Sequence, residues 1–238
     1  MKKISLFFML IAFGATSFSQ SVVNSSRYFP KADKVLEFEK GLAAHIMKYH
    51  SGDWKWRVYE IQSGPDAGGY HVTEGPKTWD EFDNRGNLGD EHVKDWNKNV
   101  APFLTDRYSS SYAEFRDDLS SVEVSDFADK ITITHVYPKV AMSGVLENTL
   151  MKSKGAWKGS QSVAVYRSVA SGPAQYALVF RLKNGLKEMK DGYRKPYKER
   201  YEAVNGADSY ETWLEKVSQS VESSWSEMLF LRADLSAK

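Results

Sequence analysis

Cysteine is absent from the sequence, so the fold contains no disulfide, no thiolate metal ligand and no cysteine nucleophile. A strong charge of one sign is also lacking, because 32 basic and 31 acidic residues leave a formal net charge of +1. A chain of this kind has no long-range field that attracts nucleic acid or an anionic membrane. The composition therefore excludes a disulfide scaffold and predicts that nucleic acid is not a partner.

The signature motifs of several enzyme classes are missing as well. The sequence has no G-x-x-x-x-G-K-S/T phosphate loop, no G-x-G-x-x-G motif, no G-x-S-x-G nucleophile elbow and no H-E-x-x-H zinc motif. No motif for haem attachment is present either. We therefore predict no cofactor, and the motifs identify no catalytic residue.

The longest apolar run lies at the start of the chain. Two lysines precede an apolar stretch over residues 4–13, and the small residues Ser17 and Ser19 follow before Gln20. This order is typical of a secretory signal peptide, and the stretch is too short to span a bilayer. We predict a signal peptide over 1–19, with cleavage near Ser19-Gln20 and export to the periplasm or the exterior. No later run approaches the roughly 18 apolar residues of a membrane span, so we predict no stable membrane insertion.

The chain contains an internal repeat. Tyr137-Pro138-Lys139 repeats the pattern of Phe29-Pro30-Lys31 at a separation of 108 positions. Ser171-Gly172-Pro173 repeats Ser63-Gly64-Pro65 at the same separation. Several matching residues in the same order at nearly constant spacing indicate a tandem duplication.

The repeat divides the chain into two units, predicted over 22–120 and 130–238, which end alike with Arg-x-Asp-Leu-Ser. Each unit opens with a β-rich run that stops at a proline, and a helix with apolar residues three and four positions apart follows. Two strands joined by a Ser-Gly-Pro turn, two further helices and a last strand complete the unit. We predict β-α-β-β-α-β with an extra helix before the last strand, an α+β fold.

These features resemble the dimeric α/β-barrel superfamily of ferredoxin-like domains, nearest to its NIPSNAP-like and antibiotic-biosynthesis-monooxygenase-like members. The resemblance rests on the aromatic-Pro-Lys strand end, the helix after it, and the Gly-Pro hairpin that carries Tyr70 and Trp79. It covers nearly all of the predicted mature chain. It implies two sheets packed face to face as an intramolecular barrel, with small molecules held between a sheet and its helices. Two units that cover each other predict a monomer.

The candidate ligand-binding residues concentrate in the first unit, whose predicted sheet is aromatic where the second is aliphatic. A pocket there would be lined by the rings of Trp56, Tyr70 and Trp79, with Tyr59, His71 and Arg57 as polar groups. His135, on a strand of the second unit, is a further candidate. The two histidines could be a general base, a hydrogen-bond donor or an axial haem ligand. The alternative is that the rings are ordinary core and the histidines are structural.

The other three histidines predict no metal site. His45 and His50 lie five positions apart on a predicted helix and so would not share a face, while His92 precedes a helix. The basic and aromatic segment 187–200 resembles a nucleic-acid contact, but interspersed acids favour a solvated loop that leads into a helix.

Three functions stay open from the sequence. The leading hypothesis is an exported module that binds a small apolar or aromatic molecule. The superfamily resemblance suggests a cofactor-independent monooxygenase-like enzyme as an alternative. The third is a structural or interaction protein of the cell envelope.

Overall fold

The computed structural model describes residues 20–238, and the predicted signal peptide lies outside this range. The first half contains four strands and three α-helices. Their order is β1 (Val22–Pro30), α1 (Val35–Tyr49), β2 (Trp56–Ile61), β3 (Tyr70–Lys77), α2 (Trp79–Asp83), α3 (Asp90–Asn99) and β4 (Leu104–Phe115). A short 3₁₀ helix, Ala101–Phe103, precedes β4.

The second half repeats this order of strands and α-helices, with a 3₁₀ helix over Gly185–Met189 between β7 and α5. It contains β5 (Lys130–Pro138), α4 (Ser143–Trp157), β6 (Ser162–Val169), β7 (Tyr176–Arg181), α5 (Tyr197–Asn205), α6 (Ser209–Ser220) and β8 (Val221–Leu231). The predicted α+β class is therefore confirmed. The origin of the two halves by duplication stays a prediction.

The eight strands form one closed, antiparallel barrel. Around it they run in the order β1-β3-β2-β8-β5-β7-β6-β4. The order β1-β3-β2 recurs as β5-β7-β6, and the two halves meet where β2 pairs with β8 and where β4 pairs with β6. Closure removes every free sheet edge from the barrel.

Alternation along the strands separates the barrel interior from the surface that the helices cover. Apolar residues on the outer face of the first half pack against α1, and a matching cluster in the second half packs against α4. A third cluster, which includes Ile131, Ile133 and Leu229, lies inside the barrel. The barrel interior, called the lumen below, is thus partly packed.

The segments that follow β4 and β8 cross to the opposite half. Leu119 is buried in the cluster of the second half, and Leu235 is buried in the cluster of the first half. The hydroxyl oxygen of Ser120 accepts from the Val165 amide at 2.8 Å, and the hydroxyl oxygen of Ser236 accepts from the Val58 amide at 2.9 Å. The repeated Arg-x-Asp-Leu-Ser sequence therefore forms a reciprocal brace between the halves.

Two predicted elements differ from the structure in their bounds. The sequence pattern predicts the last strand of each half over 112–119 and 228–235, but β4 and β8 begin several residues earlier and end before these braces. The basic segment 187–200 begins in the 3₁₀ helix Gly185–Met189 and continues as a loop into α5, so the expected loop leading into a helix is found after residue 189. Within residues 20–238, no helix has both the length and the apolar character that a membrane span requires.

Candidate functional site

A cavity of about 320 Å³ lies in the lumen and is lined by residues of both halves. Its apolar wall comes from Ile131, Ile133, Ala177, Val179 and the ring of Phe127. Polar side chains of β1, β3, β4 and β5 form much of its polar wall. A volume of this size accommodates a small organic molecule.

A buried ion pair crosses the lumen between β1 and β8. The Arg27 guanidinium donates to both carboxylate oxygens of Glu227, with Nη1 to Oε2 at 2.9 Å, and the Glu227 side chain is fully buried. Burial acts to raise the pKa of Glu227, but hydrogen bonds from His135 and Arg27 outweigh it and hold that pKa below its usual value. Glu227 is therefore ionised at neutral pH.

The remaining charges that line the cavity are also paired. Asp66 accepts from Arg27 and from the more exposed Arg107. Arg181 donates to the backbone oxygen of Glu123 at 2.9 Å and lies 3.7 Å from Asp126. The cavity wall thus contains charged groups whose charges are largely compensated.

His135 is held in one orientation by three neighbours. Its Nε2 donates to Glu227 Oε1 at 2.7 Å, its Nδ1 accepts from Gln175, and its ring stacks on Trp225 at 4.0 Å between centroids. Both ring nitrogens are engaged, so the role of axial haem ligand does not fit this residue.

His71 is an uncharged polar group of the cavity wall. It lies beside Arg27 on one neighbouring strand and Tyr59 on the other. Burial, assisted by the positive charge of Arg27, lowers the pKa of His71 to about 3, and its Nδ1 has no hydrogen-bond partner. Burial also raises the pKa of Tyr59 to about 12, and the Tyr59 hydroxyl donates to the Ala128 oxygen at 3.1 Å.

Neither a protein-family model nor a curated protein matches the sequence. Solved structures match over almost the whole chain. A "putative monooxygenase" from Lactobacillus acidophilus NCFM has a TM-score of 0.56 at 11% identity, covering 92% of this chain and 96% of that one. An anthrone oxidase-like protein has a TM-score of 0.54 at 11% identity, covering 90% and 92%.

A third similar structure is a mutant chlorite dismutase from Candidatus Nitrospira defluvii. Its TM-score is 0.54 at 7% identity, and the match covers 91% of this chain and 93% of that one. At such identities the likeness concerns the fold alone. The chain has a ferredoxin-like α/β-barrel fold. The resemblance seen in the sequence is confirmed at this level, and its nearer NIPSNAP-like form stays a prediction.

Four of the seven predicted site residues lie on the lumen side of the barrel. His71, Tyr59 and His135 line the cavity. Arg57 lies nearby, with its guanidinium 3.8 Å from the centroid of the Phe127 ring and a hydrogen bond of 3.1 Å to the Gly75 oxygen.

The other three predicted residues lie outside the lumen. Tyr70 packs in the cluster beneath α1, and its hydroxyl donates to Glu39. Trp56 stacks on His50, and the exposed Trp79 donates to Glu114 at 3.0 Å. Alternation explains Trp56 and Tyr70, because they have the opposite parity to Arg57 and His71 on their strands.

The expected position of the pocket is wrong in two respects. The resemblance placed a ligand between a sheet and its helices, and the aromatic residues placed it in the first half. The cavity lies instead between the two sheets, and Ile131, His135 and Val179 of the second half line it. The sheet–helix interfaces are filled by the two outer apolar clusters.

Sequence reasoning missed Arg27, Asp66, Gln175, Trp225 and Glu227. One signal was present, because Arg27 and His135 are 108 positions apart, the separation of the repeat. Equivalent residues near the middle of the first strand of each half therefore meet in the lumen, with Arg27 Nη2 3.5 Å from His135 Nε2. Asp66 directly follows the first Ser-Gly-Pro sequence, and Gln175 lies two positions after the second, so both sequences mark hairpin ends near the cavity.

A second constellation lies on the other side of the sheet. Three histidine rings converge there, with one ring nitrogen from each within 4.8 Å of the other two: His45, His50 and His92. Within residues 20–238 this is the one cluster of three or more potential metal ligands of the His, Cys, Asp or Glu type. The prediction that a five-residue spacing keeps His45 and His50 apart is wrong. α1 ends at Tyr49, and His50 adopts a non-helical backbone that turns its ring toward His45. His92, expected before a helix, is the third residue of α3.

Proposed function

We propose that the lumen binds one small, neutral, mainly aromatic molecule that carries a hydroxyl or carbonyl group. The observation that carries this proposal is the cavity of about 320 Å³ between the two sheets, with an apolar wall opposite a fixed polar wall. Apolar surface supplies most of the binding free energy in such a site, and a few oriented polar groups determine the ligand's position.

The compensation of charge in the cavity favours a neutral ligand over an anion. Glu227 and Asp66 already accept the hydrogen bonds of Arg27 in the cavity wall. An anion bound beside Arg27 would have to be desolvated next to the ionised Glu227. A phenol or ketone avoids that desolvation cost.

Two features supply recognition for such a ligand. The uncharged His71 lines the cavity and has a buried ring nitrogen without a hydrogen-bond partner, which a ligand hydroxyl can satisfy after a small rotation of the ring. Trp225 and Phe127 add aromatic rings to the cavity wall that an aromatic ligand can contact.

Calorimetric titration with 2-naphthol and 2-naphthoate tests this proposal. The two probes share a ring system, but only 2-naphthoate is an anion at pH 7. We expect saturable binding of one 2-naphthol per chain and at least tenfold weaker binding of 2-naphthoate. Tighter binding of 2-naphthoate than of 2-naphthol would contradict the proposal of a neutral ligand. If neither probe binds, the proposal of an aromatic ligand is contradicted.

A variant pair locates the binding site. Ala177→Phe puts a ring into the cavity and should abolish binding, whereas Ala207→Phe, in the exposed turn between α5 and α6, should leave it unchanged. Unaltered 2-naphthol binding by a folded Ala177→Phe protein would place the site outside the lumen.

A second candidate function is oxidation of the bound ring by molecular oxygen. It is suggested by the names of two neighbours, a monooxygenase and an anthrone oxidase-like protein. The lowered pKa of His71 makes that residue a weak general base at neutral pH, which favours binding without turnover. Oxygen consumption with 2-naphthol that is lost in Ala177→Phe would favour the enzyme.

We also propose that the mature protein acts outside the cytoplasm. The proposal rests on the N-terminal pattern of two lysines, an apolar run and small residues. N-terminal sequencing of the secreted or periplasmic protein should give a chain that begins at or near Gln20. A chain that retains Met1 inside the cell would contradict export.

A further inference from the structure

Three imidazole rings meet at the seam between α1 and α3, on the side of the sheet away from the lumen. Nε2 of His92 lies 3.2 Å from Nε2 of His45 and 3.2 Å from Nε2 of His50. Zn–N bonds of 2.0–2.1 Å at tetrahedral angles place the nitrogens about 3.3–3.4 Å apart. Two of the three nitrogen–nitrogen distances are therefore close to those around a single tetrahedral ion.

Carboxylates lie behind two of the rings. Asp95 Oδ2 accepts from His45 Nδ1 at 2.7 Å, and Glu74 Oε2 lies 3.8 Å from His50 Nδ1. A proton held on Nδ1 of His45 leaves its Nε2 with a lone pair directed at the other two rings. Carboxylate–imidazole pairs of this kind orient the histidine ligands of metal centres.

The arrangement is poorly satisfied by the protein alone. His92 Nε2 has two short contacts, one with His45 Nε2 and one with His50 Nε2. A single proton can form a good hydrogen bond in only one of these contacts at a time. His50 Nδ1 and Glu74 Oε1 are buried without a hydrogen-bond partner. Converging imidazole lone pairs are unfavourable unless a cation or a shared proton lies between them.

The surroundings are rigid on one side and open on the other. His45 and His50 are fully buried, and the His50 ring stacks on Trp56 at 3.7 Å between centroids. His92 is only half-buried, so an ion can reach the seam from solvent. Arg85, a cation beside His50 and His92, is paired with Glu74.

We propose that His45, His50 and His92 together bind one divalent transition-metal ion, with Zn²⁺ as the best match to three imidazole ligands. Imidazole nitrogen suits Zn²⁺ better than Mg²⁺ or Ca²⁺, which prefer oxygen. Three protein ligands leave the fourth tetrahedral position for water. Metal binding would draw the His45 and His50 nitrogens, now within 4.8 Å, closer by up to about 1.4 Å.

The first test uses protein comprising residues 20–238, which is treated with a chelator and then titrated with Zn²⁺ in a calorimeter. We expect one ion per chain in the wild type and at least 100-fold weaker binding in His92→Ala, a half-buried position where folding should survive. His71→Gln removes a histidine in the lumen and should bind Zn²⁺ as the wild type does. Equal affinity of wild type and His92→Ala would overturn the proposal, as would the lack of saturable binding.

Two further measurements keep the outcome clear if a variant folds poorly. The wild type loaded with Co²⁺ should show the strong visible absorption of a four-coordinate, nitrogen-ligated ion, and only the weak bands of hydrated Co²⁺ would overturn the site. Asp95→Asn keeps all three ligands and should weaken Zn²⁺ binding about 10- to 100-fold if Asp95 is a positioning residue. A set of histidines that is only hydrogen-bonded gives neither result.

Discussion

Gly41 of α1 lies directly against the backbone of Asn99 at the end of α3, where an added Cβ atom would stand 1.9 Å from the Asn99 carbonyl oxygen. One turn further along, His45 meets Asp95, and one turn further again the Tyr49 hydroxyl donates to the Glu91 oxygen. The two helices are therefore antiparallel with a four-residue register. Gly41 permits the close approach on which the histidine cluster depends.

Gly41→Ala should force α3 away from α1. An alanine favours an isolated helix by about 1 kcal/mol, but a clash with backbone of this severity costs about 1–3 kcal/mol or more. We expect net destabilisation in urea unfolding and weaker Zn²⁺ binding. Gly144→Ala is the matched control, because a Cβ atom at that position of α4 meets nothing within 4 Å. The control should be neutral or stabilising, and equal effects of both changes would contradict the account.

Glu227→Gln should destabilise the barrel by about 2–3 kcal/mol, because the buried Arg27 loses its principal anionic partner and keeps only Asp66. The free energy of unfolding in urea measures this loss. Glu211→Gln removes the partner of Lys198 on the surface and should change nothing measurable. In Arg27→Met/Glu227→Leu both charges are gone, so the double variant should be less destabilised than Glu227→Gln. The reverse order would show that the pair is not compensated as described.

Protonation of His71 should destabilise the fold on the acid side. The pKa of His71 is about 3 in the folded chain and about 6.5 when exposed, so the unfolded chain binds the extra proton between these values. Stability therefore falls as pH decreases from 6.5 toward 3, by about 1.4 kcal/mol per pH unit for this residue. His71→Gln should reduce the slope of stability against pH by about that amount.

Urea unfolding of both proteins at pH 6.0 and 5.0 provides the measurement. The difference between wild type and variant isolates His71, because the other buried histidines contribute equally to both. Identical slopes would mean that His71 does not remain neutral in the folded lumen.

The order of elements followed from local patterns, because strands and helices differ in the spacing of their apolar residues. Phe38, Leu42 and Ile46 recur at four-residue spacing, and all three are buried beneath the sheet. The repeat of Pro30 at Pro138 correctly marked the two strands, β1 and β5, that occupy equivalent places in the barrel. These features depend on residues that are close to one another in the sequence, so they can be predicted from the sequence alone.

The lumen and the histidine cluster depend on relations that no local pattern shows. The alternate residues of a strand that face the lumen can be identified only when the pairing of all eight strands is known. The sequence pattern therefore assigns Trp56 and His71 to one surface, although they lie on opposite faces of the sheet. Arg27 and Glu227 are 200 positions apart and meet only when the barrel closes. His50 joins His45 because it leaves the helix at its C-terminal end, a one-residue change of backbone that periodicity does not resolve.

A crystal soaked with 6-bromo-2-naphthol tests the central claim most directly, because bromine gives an anomalous signal that marks the ligand. We predict one dominant bromine peak inside the barrel, between the Ile131–Ile133 wall and His71, with the ligand hydroxyl within hydrogen-bond distance of the polar wall. A bromine peak found only between the barrel and its helices would contradict the proposed function. Bromine peaks elsewhere in the crystal with no peak in the lumen would contradict it as well.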